Sequence, residues 1–261
     1  MILLSFDTEE FDLPLEHGVS LSLEEQICVS EVGMTVILDC LKRNNARATF
    51  FCTVTFAQKA PHIMDRIVRE GHEVASHGYF HSNFEVSHLK TSRLKLETLT
   101  GQAVCGYRMA RMMPVSAVDI RDAGYRYDSS LNPTFIPGRY MNLRVPRTAF
   151  MQKDVLQIPV SVTPWLRFPL FWLSCHNLPF WLYRALVLRT LRHDDVFTIY
   201  FHPWEFVDLG KHPEYEIPYI IRHHAGKGME MRLEKLLQSF QKLRQPYFTY
   251  SEYTDFYPLK N

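Results

Sequence analysis

Several features are missing from this sequence, and each absence narrows the reading. No Cys-x-x-Cys pair occurs. The five cysteines stand at 28, 40, 52, 105 and 175, odd in number and scattered, which predicts reduced, mostly buried thiols rather than a disulfide frame. No basic tract stands out, and a formal net charge of +1 gives no case for nucleic acid as a partner. No Gly/Ser-rich linker, composition shift or internal repeat divides the 261 residues, so a single domain over 1–261 is expected. No basic, apolar, cleavable leader fits ahead of Asp7, and that predicts a cytoplasmic protein. No apolar run is long enough to span a bilayer. Residues 168–183 lack a charge, but a span needs about 20 apolar residues and Pro169 and Pro179 interrupt this one. The segment 164–192 is expected to be a buried loop and helix closing the fold. Its alternative is an interfacial patch bordered by Arg167, Arg184, Arg189 and Arg192, giving a peripheral membrane or lipid-linked substrate contact.

What is present is an alternation of short apolar runs with longer helical patterns, the signature of a parallel α/β sheet or barrel. Strands are expected near 1–6, 48–54, 73–76, 104–108, 126–128, 155–161, 195–201 and 246–250. Helices are expected over 21–43, 61–70, 88–100, 115–123, 178–192 and 229–244. The strands end on polar groups: Asp7, Thr53, His77, Arg108, Asp128 and His202. In parallel barrels the carboxyl ends of the strands build the active site.

Two histidines, His77 and His81, stand four residues apart, a spacing that brings both rings to one cation if the segment turns helically. The acidic run Asp7-Thr8-Glu9-Glu10 supplies carboxylates for the same cation. Strand alternation puts Asp7 and Glu9 on one face, to serve as base and ligand respectively. The sequence leaves the choice of ligand among Asp7, Glu9 and Glu10 open. A divalent cation held this way activates water and polarises a carbonyl, which is what hydrolysis of an amide at neutral pH requires. Zinc is the first candidate; nickel, cobalt, manganese or iron suit the same donors. His202, at the end of an apolar strand, has the intrinsic pKa to protonate a departing amine, and Asp128 is the carboxylate expected to keep it charged. Arg108 is expected to pair with Asp7 and hold it ionised, with Arg111 as a competitor for that task.

Taken in order, these elements resemble the polysaccharide deacetylases of carbohydrate esterase family 4, the NodB-homology domain. The likeness rests on Ala48-Thr49-Phe50-Phe51, on Glu70 through Gly78, on Gly124 through Ser130 and on Phe201 through Phe206. The resemblance implies a distorted (β/α)7-type barrel and metal-assisted removal of N-acetyl groups from an N-acetylated sugar. It implies Asp7 as general base, His77 and His81 as metal ligands, His202 as general acid and Arg108 as the brace of the base. It puts Phe201 against the acetyl methyl, with Trp204 also expected to contact substrate. The commonest first box has two adjacent Asp residues, whereas Thr8 follows Asp7 here. In the branch with an Asp-x-acid arrangement, Glu9 becomes the third ligand. After Arg108, Met109-Ala110 replaces the frequent Ala-Pro. Two other readings keep the fold: hydrolysis of a cyclic amide or other non-peptide C–N bond, and a barrel that binds glycan without turnover.

Overall fold

The fold grows from one fully buried strand. β1 (Ile2–Thr8) is inaccessible along its whole length, as expected for a central parallel strand covered on both faces. The computed structural model describes residues 1–257, so 258–261 of the expected domain lie outside the described residues. Helix α1 (Leu23–Arg43) follows, opened by a capping box in which Ser22 and Glu25 satisfy each other's backbone. Then come β2 (Thr49–Cys52), α2 (Val54–Lys59), α3 (Pro61–Arg69), β3 (Glu73–Ser76) and α4 (Val86–Thr100). The next unit is β4 (Gly106–Tyr107), α5 (Ala117–Asp122) and β5 (Tyr127–Asp128), and after it the chain makes two short hairpins. These are β6 (Phe135–Ile136) with β7 (Tyr140–Met141), and β8 (Phe150–Gln152) with β9 (Val155–Gln157). The chain closes with α6 (Trp172–Asn177), α7 (Phe180–Asp194), β10 (Phe197–Phe201), α8 (Tyr219–Arg222), α9 (Lys227–Lys242) and α10 (Tyr250–Phe256).

The main sheet runs β10-β1-β2-β3-β4-β5-β9-β8. Its pairs are parallel except β8, which returns antiparallel on β9. Strand alternation divides the core. Leu4, Phe6, Phe50, Cys52, Phe197, Ile199 and Phe201 pack towards the helices. Leu3, Phe51, Ala75 and Tyr127 fill the inside of the curl. The expected strand over 155–161 ends as a ladder at Gln157, and its continuation bridges to the opposite edge. There Ser161 N–H donates to Thr198 O (3.1 Å), and Ser161 Oγ accepts from Thr198 N–H (2.9 Å). The distorted (β/α)7-type barrel is therefore a curled sheet joined by single bonds rather than by a full ladder.

The expected strand at 246–250 does not form. Tyr247 makes one isolated bridge to Ile2, and then Thr249 and Glu252 form a capping box that starts α10 at Tyr250. A strong helix-start signal overrides an aromatic run of high strand propensity. Segment 164–192 is buried only in part. Leu170, Cys175, Tyr183, Val187 and Leu191 join the core, while Trp165 and Leu166 stand out in solvent.

One glycine fixes the position of a site element. A Cβ on Gly33, in the middle of α1, would lie 1.9 Å from Pro203 O, so α1 rests directly on the backbone that follows His202. Gly33→Ala should therefore push the two apart and destabilise the fold by about 1–3 kcal/mol, the usual range for overpacking. Urea melts of the two proteins measure this.

Candidate active site

The geometry of the carboxyl ends of the strands follows from β1. Its inward parity carries Ser5 and Asp7 to Arg108, which follows β4. Arg108 is fully buried, and all five of its N–H groups are used. Nη1 donates to Asp7 Oδ1 (2.5 Å) and Ser5 Oγ (2.9 Å), and Nη2 to Ser129 Oγ (2.9 Å) and Tyr250 Oη (3.1 Å). Nε donates to Ser129 O (3.1 Å). The guanidinium lies 3.9 Å from the centroid of Phe51, so the cation is solvated by protein on every side. Burial disfavours the charged form, but Asp7 beside it outweighs that and raises the Arg108 pKa. Arg111 does not compete for Asp7. It sits at a left-handed φ of 55° and binds Glu16 (2.7 Å) and Asp12 (3.1 Å).

The adjacent Thr8 points the other way, its hydroxyl against Met34 Sδ of α1 (3.6 Å). Glu9, just past the strand, turns back into the site instead. Glu9 Oε2 lies 3.1 Å from His77 Nε2 and 2.9 Å from His81 Nε2. Glu10 is drawn off to Thr53 Oγ1, which donates to it (2.6 Å). The two imidazoles meet without the helical turn expected of their spacing. Gly78, at φ +98°, bends the chain, and the amides of Val54 and Thr55 hold the carbonyls of Gly78 and Tyr79 (both 3.1 Å).

One donor atom from each of Glu9, His77 and His81 lies within 4.8 Å of the others. Two neutral-capable imidazoles and one anion, converging from two strand ends, suit a divalent cation with open positions. The remaining nitrogens are oriented as metal-binding histidines commonly are. His77 Nδ1 lies 2.9 Å from Arg108 O, and His81 Nδ1 lies 2.8 Å from Asp12 Oδ2. Asp12 was not singled out by the sequence; its separation from His81 hid it. Burial works against the charge on His81, but Glu9 and Asp12 outweigh it and push its pKa up to about 10. Burial likewise opposes ionisation of Glu9, but the charge of His81 and the hydrogen bonds from both imidazoles hold its carboxyl well below the ordinary value.

His202 stands across the same cavity, on the inward parity of β10 with Tyr200. Phe201 must then face outward, and it does. Its ring packs on Phe6 and Phe206, both at 6.1 Å, so it is a core residue and not an acetyl contact; Tyr200 takes the cavity wall. Trp204 stacks on His202 (centroids 4.8 Å apart, planes at 15°) and lines the cavity, as expected. The partner of His202 is not Asp128. Asp128 binds Ser130 through its N–H (3.0 Å) and its hydroxyl (2.5 Å), on a different cavity, and burial pushes its pKa up to about 6.

Glu205 does what Asp128 was expected to do. Its Oε1 lies 2.9 Å from His202 Nδ1 and accepts from His202 N–H (2.6 Å), while Oε2 lies 3.0 Å from His176 Nε2. Glu205 and His176 are both completely buried. The signal for Glu205 was its place three residues after His202, the spacing of a capping box. His176, on α6, had no local signal. Burial opposes protonation of His202, but the Glu205 hydrogen bond and the negative charges of Glu9, Glu205 and Asp7 raise its pKa. Asp7, Glu9, His77, His81, His202 and Trp204 all line one cavity of about 300 Å³, with Tyr140, Trp172 and Leu173 forming its apolar side.

Two outcomes follow from these charges. Glu205→Gln removes the anion beside His202, so the His202 titration midpoint should fall, as followed by imidazole NMR. A cation binding at Glu9, His77 and His81 must displace a proton from His81, which is doubly protonated below about 10. Metal binding at neutral pH should therefore release a proton, and affinity should rise by roughly tenfold per pH unit. Calorimetry in buffers of different ionisation enthalpy measures the release.

Comparison with known proteins shows what the chain resembles. Residues 18–110 match the family model "Polysaccharide deacetylase". A peptidoglycan-N-acetylglucosamine deacetylase of Bacillus cereus is 49% identical over 47 residues. That stretch covers 18% of this chain and 17% of the relative's length. A crystal structure of a probable polysaccharide deacetylase from Pseudomonas aeruginosa superposes with a TM-score of 0.64 at 16% identity, covering 97% of this chain and 88% of that one. PuuE allantoinase superposes with a TM-score of 0.65 at 16% identity, covering 95% and 86%. At such identities the superpositions establish the shared fold. The chain thus carries a polysaccharide deacetylase match over 18–110 and shares the fold of these structures over nearly its whole length.

Proposed function

We propose that this protein hydrolyses the acetamide of an N-acetylated saccharide and releases acetate. The observation that carries the reading is the shared cavity. A braced carboxylate (Asp7), a three-donor cation site (Glu9, His77, His81) and an imidazole of raised pKa (His202) face one another in it. The family match over 18–110 and the name of the Bacillus cereus relative support an N-acetylated sugar as substrate.

The residues Glu9, His77 and His81 would hold a divalent cation. When bound, the cation supplies polarisation of the acyl oxygen and acidity of the attacking water. Asp7 takes the proton as the water oxygen forms its bond to the acyl carbon. Arg108 fixes the orientation of the Asp7 carboxylate, and Ser5 accepts from the same guanidinium nitrogen, so the base costs no reorganisation when the reaction occurs. As the C–N bond breaks, His202 gives its Nε2 proton to the departing amine and is left neutral against Glu205. Trp204 holds the imidazole plane by stacking, and Tyr140, Trp172 and Leu173 offer an apolar wall to the sugar face and acetyl methyl.

A barrel without turnover would be favoured by a missing base, ligand or acid; the convergence of Asp7, Glu9, His77, His81 and His202 on one cavity supports turnover instead. Acetate release from a panel of nucleotide-, lipid- and polymer-linked N-acetylhexosamines tests the proposal. His202→Ala should retain a cation and lose turnover by roughly 10²–10⁴-fold, the usual contribution of a positioned acid. His77→Ala should lose both the cation and turnover, and a chelator should reproduce its effect. Parental rates in both variants would overturn the assignment, and ring opening of a cyclic amide without acetate release would move the reaction to the alternative substrate class.

A further inference from the structure

We propose that the face formed by residues 135–145 and 163–168 docks on an anionic lipid bilayer. Large apolar side chains stand almost free at its tips: Met141 at 84% exposure, Trp165 at 76% and Leu166 at 88%. This exposure is built into the backbone. Arg167 adopts a left-handed φ of 51°, its N–H bonds Thr163 O (3.1 Å), and Thr163 Oγ1 accepts from the Phe168 N–H (2.9 Å). The Arg167 guanidinium points inward and donates to Pro133 O (3.2 Å) and Val145 O (2.7 Å). Thr134 Oγ1 donates in turn to Arg167 O (2.7 Å). A half-buried cation thus clamps the two loops side by side, with Trp165 and Leu166 turned outward.

The surrounding charge has one sign. Between Asp128 and Asp194 the sequence contains a single acid, Asp154, while arginine recurs at 139, 144, 147, 167, 184, 189 and 192. Arg147 is consumed by Asp194 (2.6 Å). Arg144, Arg189 and Arg192 are exposed and have no carboxylate partner among the described residues. Trp165 lies 6.2 Å from His193, and Arg189 shares the α7 face of His193 at i, i+4. An exposed indole and leucine, with exposed arginines carried on the neighbouring loop and on α7, match the chemistry of a bilayer interface, where the apolar groups enter the acyl boundary and the guanidiniums meet lipid phosphates. A second copy of this chain is a poorer occupant, because a symmetric contact through this face would set like charges against each other.

The docking face adjoins the cavity, since Arg139 and Tyr140 of the first loop and Leu173 beyond the second line its wall. Contact would bring the mouth to the membrane, where a saccharide carried on a lipid anchor is the substrate class at hand. This last step rests on the deacetylase reading; the docking does not.

Flotation of the full chain with vesicles separates the two. Phosphatidylcholine vesicles containing phosphatidylglycerol should bind the protein, pure phosphatidylcholine vesicles should bind it weakly, and raised salt should release it. The double variant Trp165→Ser, Leu166→Ser and, separately, Arg144→Glu with Arg192→Glu should each lower binding by roughly tenfold or more. Both variants should keep the parental thermal melt and the parental turnover of a soluble acetamide. Absence of vesicle binding by the parent, or equal binding by the variants, overturns the docking. A concentration-dependent dimer that the serine variant dissolves also overturns it, in favour of a contact between copies. Binding intact in a protein that never releases acetate would leave the docking standing and remove the deacetylase reading.

Discussion

An arginine sealed inside a barrel is tolerable only if its charge and every donor are answered, and the site of this protein is arranged around that requirement. Arg108 collects Asp7 and Ser5 from β1, Ser129 from the turn after β5 and Tyr250 from α10. Removing any one partner would leave a buried donor unsatisfied, a penalty of about 1–3 kcal/mol. The same contacts therefore hold distant segments together and fix the Asp7 carboxylate. The carbonyl of Arg108 also orients His77, so Asp7 and the candidate cation site share one anchor.

A second set of groups obeys the same rule with the signs reversed. Glu205 is sealed from solvent and is answered by His202 and His176. The two imidazoles hold its pKa below the ordinary value against the cost of burial. Gly33 lets α1 settle on the Pro203 backbone beside it, so the helix layer fixes where the acid stands. Packing outside the barrel and protonation inside it are in this way coupled through one short stretch of chain.

Much of this was legible in the sequence. Alternating apolar runs and helical patterns gave the sheet order's raw material, and the strand-end residues Asp7, His77, Arg108 and His202 do converge. The errors have local causes. Phe201 and His202 are neighbours in an extended strand and cannot face the same side, so carrying both into one cavity ignored the alternation. Asp128 ends a strand as His202 follows one, yet Ser130 lies beside it and captures its carboxylate. Asp12 and His176 act through chain segments brought together only by the fold, which no spacing encodes. The strand expected at 246–250 failed because Thr249 and Glu252 cap a helix there.

The outward turn of Thr8 carries a consequence for how this lineage diverged. Writing the two-aspartate box back into the chain by a single change at that position would not restore a ligand. It would aim a new anion at buried Met34 beneath α1 and away from Glu9, His77 and His81, which weakens the protein rather than converting its site. The Asp-x-Glu spelling is thus a self-consistent solution that its more common counterpart can replace only through a coordinated shift of strand register and helix packing.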